Sequence, residues 1–203
     1  MRLLVVGAGG HAKVVLDAAL LAGFEIAGVI GQEGGASALL GIPVTHDIDA
    51  IAADAFIVAI GDNAARAEEF ARLSDLGMTP VSVIHPSAVI APSATISTGT
   101  FVAAGAIVNP EAVIGDNAIL NTGCTIDHDC LVGDHALIGP TASLCGAVRI
   151  GAGTLVGAGA SVVPGATVGE WSVVGAGSAV TGDLPARSVC VGAPAAAIKR
   201  IGA

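Results

Sequence analysis

Aromatic and basic side chains are scarce in this sequence. It has no tyrosine, one tryptophan and four phenylalanines, and eight Lys and Arg against seventeen Asp and Glu, giving a net charge of −9. Such a chain lacks both the cations that neutralise phosphate backbones and the rings on which bases stack, which argues against nucleic acid as a partner. Cysteine is sparse too. Cys124, Cys130, Cys145 and Cys190 show no C-x-x-C spacing, so they read as reduced, space-filling thiols and not as a zinc site or disulfide framework. Mean hydropathy is high at +0.81, yet no uninterrupted apolar run reaches the roughly 18 residues of a membrane-spanning helix. Met1-Arg2 leads straight into a short strand and a glycine loop, without a secretory leader pattern, so a cytoplasmic location is expected.

What the sequence has in abundance is periodicity. Every sixth residue from Ile90 to Val180 is Ile, Leu or Val, sixteen times in succession, and four places after each the side chain is nearly always small, as at Ala94, Ala106, Cys124, Cys130 and Ala142. Neither the 3.6-residue helix nor the two-residue strand alternation produces this pattern. A period of six signals a parallel β-helix, in which three hexapeptides make one triangular coil and stacked coils share an aliphatic core. Residues 18 apart then lie roughly 5 Å apart along the stack, so sequence spacing reads as distance.

The texture changes near residue 85. Residues 1–84 read as an α/β half-Rossmann domain and 85–203 as the β-helix with a carboxyl-terminal tail. Leu3 to Val6 is a buried-strand run, followed by Gly7-Ala8-Gly9-Gly10-His11-Ala12 and a helical pattern to about Leu21. Ile26 to Ile30, Phe56 to Ile60 and Val81 to Ile84 are further expected strands, with a helix over Ala64 to Leu76. The glycine loop satisfies G-x-G-x-x-A, which lets backbone N–H groups approach a pyrophosphate at a helix N-terminus, although a plain strand-to-helix turn needs the same glycines. Two such halves make a dinucleotide fold, and about 80 residues hold only one. NAD is therefore disfavoured, while a single nucleotide or the diphosphate of a nucleotide sugar fits. Gly61 and Asn63, at another strand end, belong to the same expected cleft, and Arg66, one turn into the next helix, is a candidate phosphate partner.

In the monotonous coils the sharpest departure is Asp127-His128-Asp129. Ile126 points inward, which puts His128 at a corner between two carboxylates, the environment expected of a general base. Gly146 lies 18 residues on, directly above it, where a backbone N–H would face a developing oxyanion. His135 reads as a surface corner residue. Neither it nor His85 shares the His128 column, so no metal site is expected.

The segments V-V-G-A-G-G-H-A-K-V-V (5–15), A-I-G-D-N-A-A-R (59–66), N-T-G-C-T-I-D-H-D-C (121–130) and V-G-A-P-A (191–195), in this order, resemble the bacterial sugar acetyltransferases. These include sialic-acid O-acetyltransferases and N-acetyltransferases of nucleotide-linked 4-amino-4,6-dideoxy sugars. The resemblance implies a left-handed β-helix, acetyl-CoA as co-substrate without a metal, and a homotrimer with active sites between neighbouring helices. It makes His128 the catalytic base and Asp129 its supporting acid. Gly9, Gly10 and His11 would hold the sugar nucleotide, with Gly61 and Asn63 facing it, and Ala158 and Ala176 would line the acetyl-CoA groove through backbone groups. Two positions depart from the family pattern: Gly31-Gln32 stands where some relatives have a paired acidic motif, and Leu137 stands where a histidine near the acetyl group can occur. The expected function is N-acetylation of a nucleotide-linked amino sugar by direct attack, with Asp127 as a second support for His128 and Gly146 N–H as oxyanion donor. O-acetylation of a sialic acid or related sugar, and a non-catalytic nucleotide-sugar-binding trimer, are the alternatives.

Overall fold

The computed structural model describes residues 1–202. The amino-terminal unit is a five-stranded sheet of β1 (Arg2–Val6), β2 (Glu25–Ile30), β3 (Ala38–Leu39), β4 (Ile42–Thr45) and β5 (Ala55–Val58), in the order β3-β4-β2-β1-β5 and parallel except at β3. The β3–β4 hairpin was not foreseen. It is short, contains Pro43 and turns through Leu40 and Gly41, both with positive φ, so it lacks the apolar run that announces a strand. Helix α1 (Gly10–Leu21) starts behind the glycine loop, and helix α2 (Asn63–Asp75) starts at Asp62, whose Oδ1 accepts from Ala65 N–H at 2.9 Å.

The repeats form a left-handed parallel β-helix. Each coil contributes three two-residue strands, and each strand pairs with the one 18 residues later, as Ile107–Val108 with Thr125–Ile126. The inward aliphatics of successive hexapeptides, from Val102 to Val180, are buried in one continuous core. The three faces are called the first sheet (containing Phe101, Ile119 and Leu137), the second (Ile107, Thr125, Ser143) and the third (Val113, Leu131, Arg149). Val83–Ile84, here β6, pairs with Phe101–Val102 in the first sheet. It is thus a rung of the β-helix and not a strand of the amino-terminal sheet, which places the hand-over slightly before the expected boundary at 84/85.

Helix α1 is sandwiched between the amino-terminal sheet and the outer face of the first sheet, where Ala12, Val15 and Leu16 pack with Phe101, Ile119 and Leu137. Leu137, half-buried, is one of the side chains packed between the two units. The other side of the amino-terminal sheet, with Phe56 and Val58, is covered by Leu73 and Phe70 of α2.

Candidate active site

The glycine loop and the ends of β1, β2 and β5 enclose a cleft of about 690 Å³, lined by Gly7, Gly9, Gly10, His11, Gln32 and Gly61 among others. Gly9 caps α1 without a side-chain hydrogen bond and the first turn carries no acid, so the leading N–H groups of the helix are open to an anion. A Cβ at Gly9 or Gly10 would meet nothing within 4 Å, so close packing does not require glycine there. Gly31 differs. A Cβ there would lie 2.6 Å from Val44 Cγ1 and 2.8 Å from the Ala8 Cβ, so the local packing rejects a side chain at this position. His11 stands edge-on to Phe101, with Nε2 buried and unpartnered. Burial, and then the charge of Arg66, holds its pKa down at about 4, so its ring is neutral at physiological pH.

Arg66 and Asn63 are where the expected cleft residues need correction. Arg66 is fully buried, and its guanidinium donates to the carbonyls of Asn117 (3.0 Å), His135 (2.7 Å) and Ile60 (3.0 Å) and to Asn63 Oδ1 (2.8 Å). Asn63 Nδ2 in turn donates to the Gly153 carbonyl at 3.0 Å. With their polar atoms occupied at the junction of the two units, neither is free to hold a phosphate. His135 is likewise no surface corner. It is half-buried against Phe70, with Nδ1 2.9 Å from Asn117 Nδ2, and burial lowers its pKa.

The Asp127-His128-Asp129 corner lies between the second and third sheets. Most turns elsewhere place glycine directly after the inward aliphatic, as at Gly133, Gly139, Gly151 and Gly157, because the next coil's backbone fills the space a Cβ would need. At this corner the same position carries Asn109, Asp127, Cys145 and Val163. Side chains are accommodated here, and they form a network. His128 Nδ1 lies 2.7 Å from Asp129 Oδ2, and the ring is exposed. Asp129 has φ of 59°, the left-handed conformation that turns its carboxylate back to the ring. That hydrogen bond, then the charge of Asp127, raises the His128 pKa. Asp127 does not touch the imidazole. Its Oδ1 accepts from His128 N–H (2.8 Å) and from Asn109 Nδ2 (3.0 Å), so it fixes the main chain of the corner. Asn109 was missed in the sequence, although its place 18 residues before Asp127 carried the signal.

Gly146 lies against the ring: a Cβ there would be 2.6 Å from His128 Cε1 and Nε2. Its N–H has no acceptor among the described residues. Ala158 and Ala176 are exposed one coil apart, with N–H groups unused among the described residues, but at the corner between the first and second sheets. One chain therefore does not bring them to His128, nor does it bring the glycine cleft, which sits by the first sheet. The cysteines are free thiols, and burial pushes Cys124 up to about 12. Among the described residues no helix is long and apolar enough to cross a membrane, and no group of three or more His, Cys, Asp or Glu is arranged to hold a metal ion.

A β-helix of hexapeptides with an exposed His–carboxylate pair at one corner and a half-Rossmann cleft beside it defines a hexapeptide-repeat acyltransferase. Two family models match accordingly, the PglD N-terminal domain over residues 2–73 and the six-repeat bacterial transferase hexapeptide over 147–182. Among solved structures, a histidine-to-asparagine variant of perosamine N-acetyltransferase from Caulobacter crescentus, in complex with CoA and GDP-perosamine, is 37% identical. The match covers 98% of this chain and 97% of that one, with a TM-score of 0.94. The acetyltransferase domain of PglB from Neisseria gonorrhoeae FA1090, in complex with acetyl coenzyme A, is 33% identical over 97% of this chain and 98% of that one, with a TM-score of 0.91. WeeI from Acinetobacter baumannii AYE, 24% identical over 98% of this chain and 100% of that one, shares the fold with a TM-score of 0.80. No curated protein matches the chain. The chain belongs to the bacterial sugar acetyltransferase family.

Proposed function

We propose that the protein transfers acetyl from acetyl-CoA to the amino group of a nucleotide-linked amino sugar, with His128 as general base. The observation that carries the mechanism is the His128–Asp129 pair, 2.7 Å apart, seated on Gly146. If Nδ1–H donates to Asp129, the Nε2 lone pair is left to take a proton. The sugar nitrogen attacks the thioester carbon, forming the C–N bond, and Nε2 accepts the proton that nitrogen loses. Gly146 N–H donates to the oxyanion until the C–S bond breaks, and His128 returns the proton to the departing CoA thiolate. The chain's own groups suffice for these steps, and no acyl-enzyme is formed.

Gly9, Gly10, His11 and Gly61 would hold the diphosphate and sugar, and the N–H groups of Ala158 and Ala176 would line the CoA groove. Support for the substrates comes from relatives solved with CoA and GDP-perosamine and with acetyl coenzyme A. Because the cleft and His128 lie at different edges of one prism, the site closes only when a neighbouring copy supplies the missing half. A homotrimer of about 58 kDa, three chains of 19.5 kDa, meets that need.

The test is thiol release from acetyl-CoA in the presence of GDP- or UDP-linked 4-amino sugars, with sialic acid as the hydroxyl control. Release with an amino sugar and none with sialic acid is expected. Release with sialic acid alone would replace this reading by O-acetylation, and release with neither would leave a binding scaffold.

A further inference from the structure

We propose that Arg66 is a positioning residue for the sugar-nucleotide cleft, tying the cleft-lining Ile60–Gly61 segment to two successive coils of the β-helix. The inference rests on reading that cleft as the nucleotide-sugar site.

It starts from an unused row of acceptors. At the corner between the third and first sheets, each coil turns through a residue of positive φ: Gly99, Asn117, His135 and Gly153. The carbonyl of the residue before it accepts from the next coil, as Asp116 from His135 N–H at 2.8 Å and Asp134 from Gly153 N–H at 2.8 Å. Among the described residues the carbonyls of Asn117, His135 and Gly153 themselves accept no backbone N–H. They form a column of acceptors one rung apart, about 5 Å. Helix α2 lies along that column. Phe70 fills the space over Gly99, where a Cβ would come 2.5 Å from its ring. Arg66 Nε donates to Asn117 and Nη2 to His135, and Asn63 donates to Gly153.

The geometry explains why an arginine stands there. From Phe70 to Asn63 an α-helix rises about 10.5 Å, whereas three rungs span about 14 Å. The planar fork makes up the difference by reaching two rungs from one edge while its other edge holds Ile60 O, a spread of donors over three nitrogens that a single ammonium nitrogen does not match. The opposite edge of the fork, Nη1, donates to Ile60 O at 3.0 Å and approaches Gly61 O at 3.5 Å, and both residues line the cleft. One side chain thus sets where the cleft sits on the β-helix. No carboxylate hydrogen-bonds it. Burial lowers its pKa to about 10, so it still carries its charge at neutral pH, solvated by carbonyl dipoles.

The test compares Arg66→Met and Arg66→Lys with the wild-type trimer in two measurements. Without ligand, amide hydrogen exchange at residues 59–63 should accelerate at least tenfold in Arg66→Met while the coils at 121–150 stay protected. In turnover, KM for the nucleotide amino sugar should rise at least tenfold, with KM for acetyl-CoA within twofold and kcat within threefold. Arg66→Lys should resemble Arg66→Met. Full rescue by lysine would overturn the two-rung tie, as would unchanged exchange, or a fall of every parameter in proportion to the folded fraction. Should Arg66→Met not fold, Asn63→Ala removes the Gly153 rung and keeps the charge, and it should move the same two readouts in the same direction; no movement overturns the proposal. If wild-type protein binds no nucleotide amino sugar, the substrate reading has failed, and the exchange measurement still decides the tie.

Discussion

Removing the His128 imidazole leaves an exposed corner without a proton acceptor and disturbs no core contact. His128→Ala should therefore lower kcat by about 10² to 10⁴ with the melting temperature and trimer unchanged, and retention of most activity in a transfer assay would refute its role. Asp129→Asn removes the largest cause of the raised His128 pKa. The base then stays unprotonated to lower pH, so the acidic limb of the pH–rate profile should move downward, and an unmoved limb would make the carboxylate a bystander. His11 does not blur this reading, since its pKa of about 4 keeps it neutral where His128 titrates. It does bear on stability. Between its ordinary 6.5 and about 4 the unfolded chain takes up a proton that folded His11 refuses, so stability is lost as pH falls through that window, by on the order of 3 kcal/mol at most. Urea titrations at pH 7 and pH 4.5 should show a smaller acid-induced loss in His11→Phe than in wild type. The Asp-His-Asp motif was legible as single residues. The role of Asp129 came with the resemblance; that Asp127 faces the main chain instead of the ring did not, because it depends on the hydrogen bonds its Oδ1 accepts from His128 N–H and Asn109 Nδ2.

Among elements, the coils were read nearly rung for rung, because a strict period of six fixes both which side chain points inward and which rung pairs with which. Gly146 illustrates the gain. Its column position identified it, and the structure adds that a methyl group there would strike the imidazole and no backbone. Gly146→Ala should thus leave stability within about 0.5 kcal/mol but displace the ring enough to lower kcat by ten- to a hundredfold; chemical denaturation beside steady-state kinetics separates the two. The amino-terminal elements were legible in type but less so in use. Arg66 and Asn63 follow a strand end in a loop that looks made for phosphate, and nothing local reveals that their polar atoms are taken by residues 51 to 90 positions away. Non-local partners are what a single sequence without a repeat register hides. The β3–β4 hairpin was lost for the opposite reason, being too short for any period to show.

For the whole molecule, the separation of cleft and base within one chain makes a sharp prediction. Trimers assembled from an equal mixture of His128→Ala and Gly10→Val chains should regain about one quarter of wild-type activity, since a random mixture pairs an intact cleft with an intact His128 of its neighbour that often. A site contained in one chain gives none. Gly10→Val suits this use because a Cβ at Gly10 meets nothing in the fold and Gly10 lines the cleft. The docking of α2 along the corner carbonyls has another consequence. A helix of about 5.4 Å pitch laid on rungs of about 4.8 Å behaves as a vernier: the two scales do not keep step, and a side chain that reaches two rungs takes up the difference. The amino-terminal unit can therefore be seated only at discrete stations along the prism. The rungs that seat α2, at Asn117, His135 and Gly153, belong to the coils that carry His128, so gain or loss of an 18-residue coil beyond Gly153 would lengthen or shorten the prism without shifting the cleft along it relative to the base.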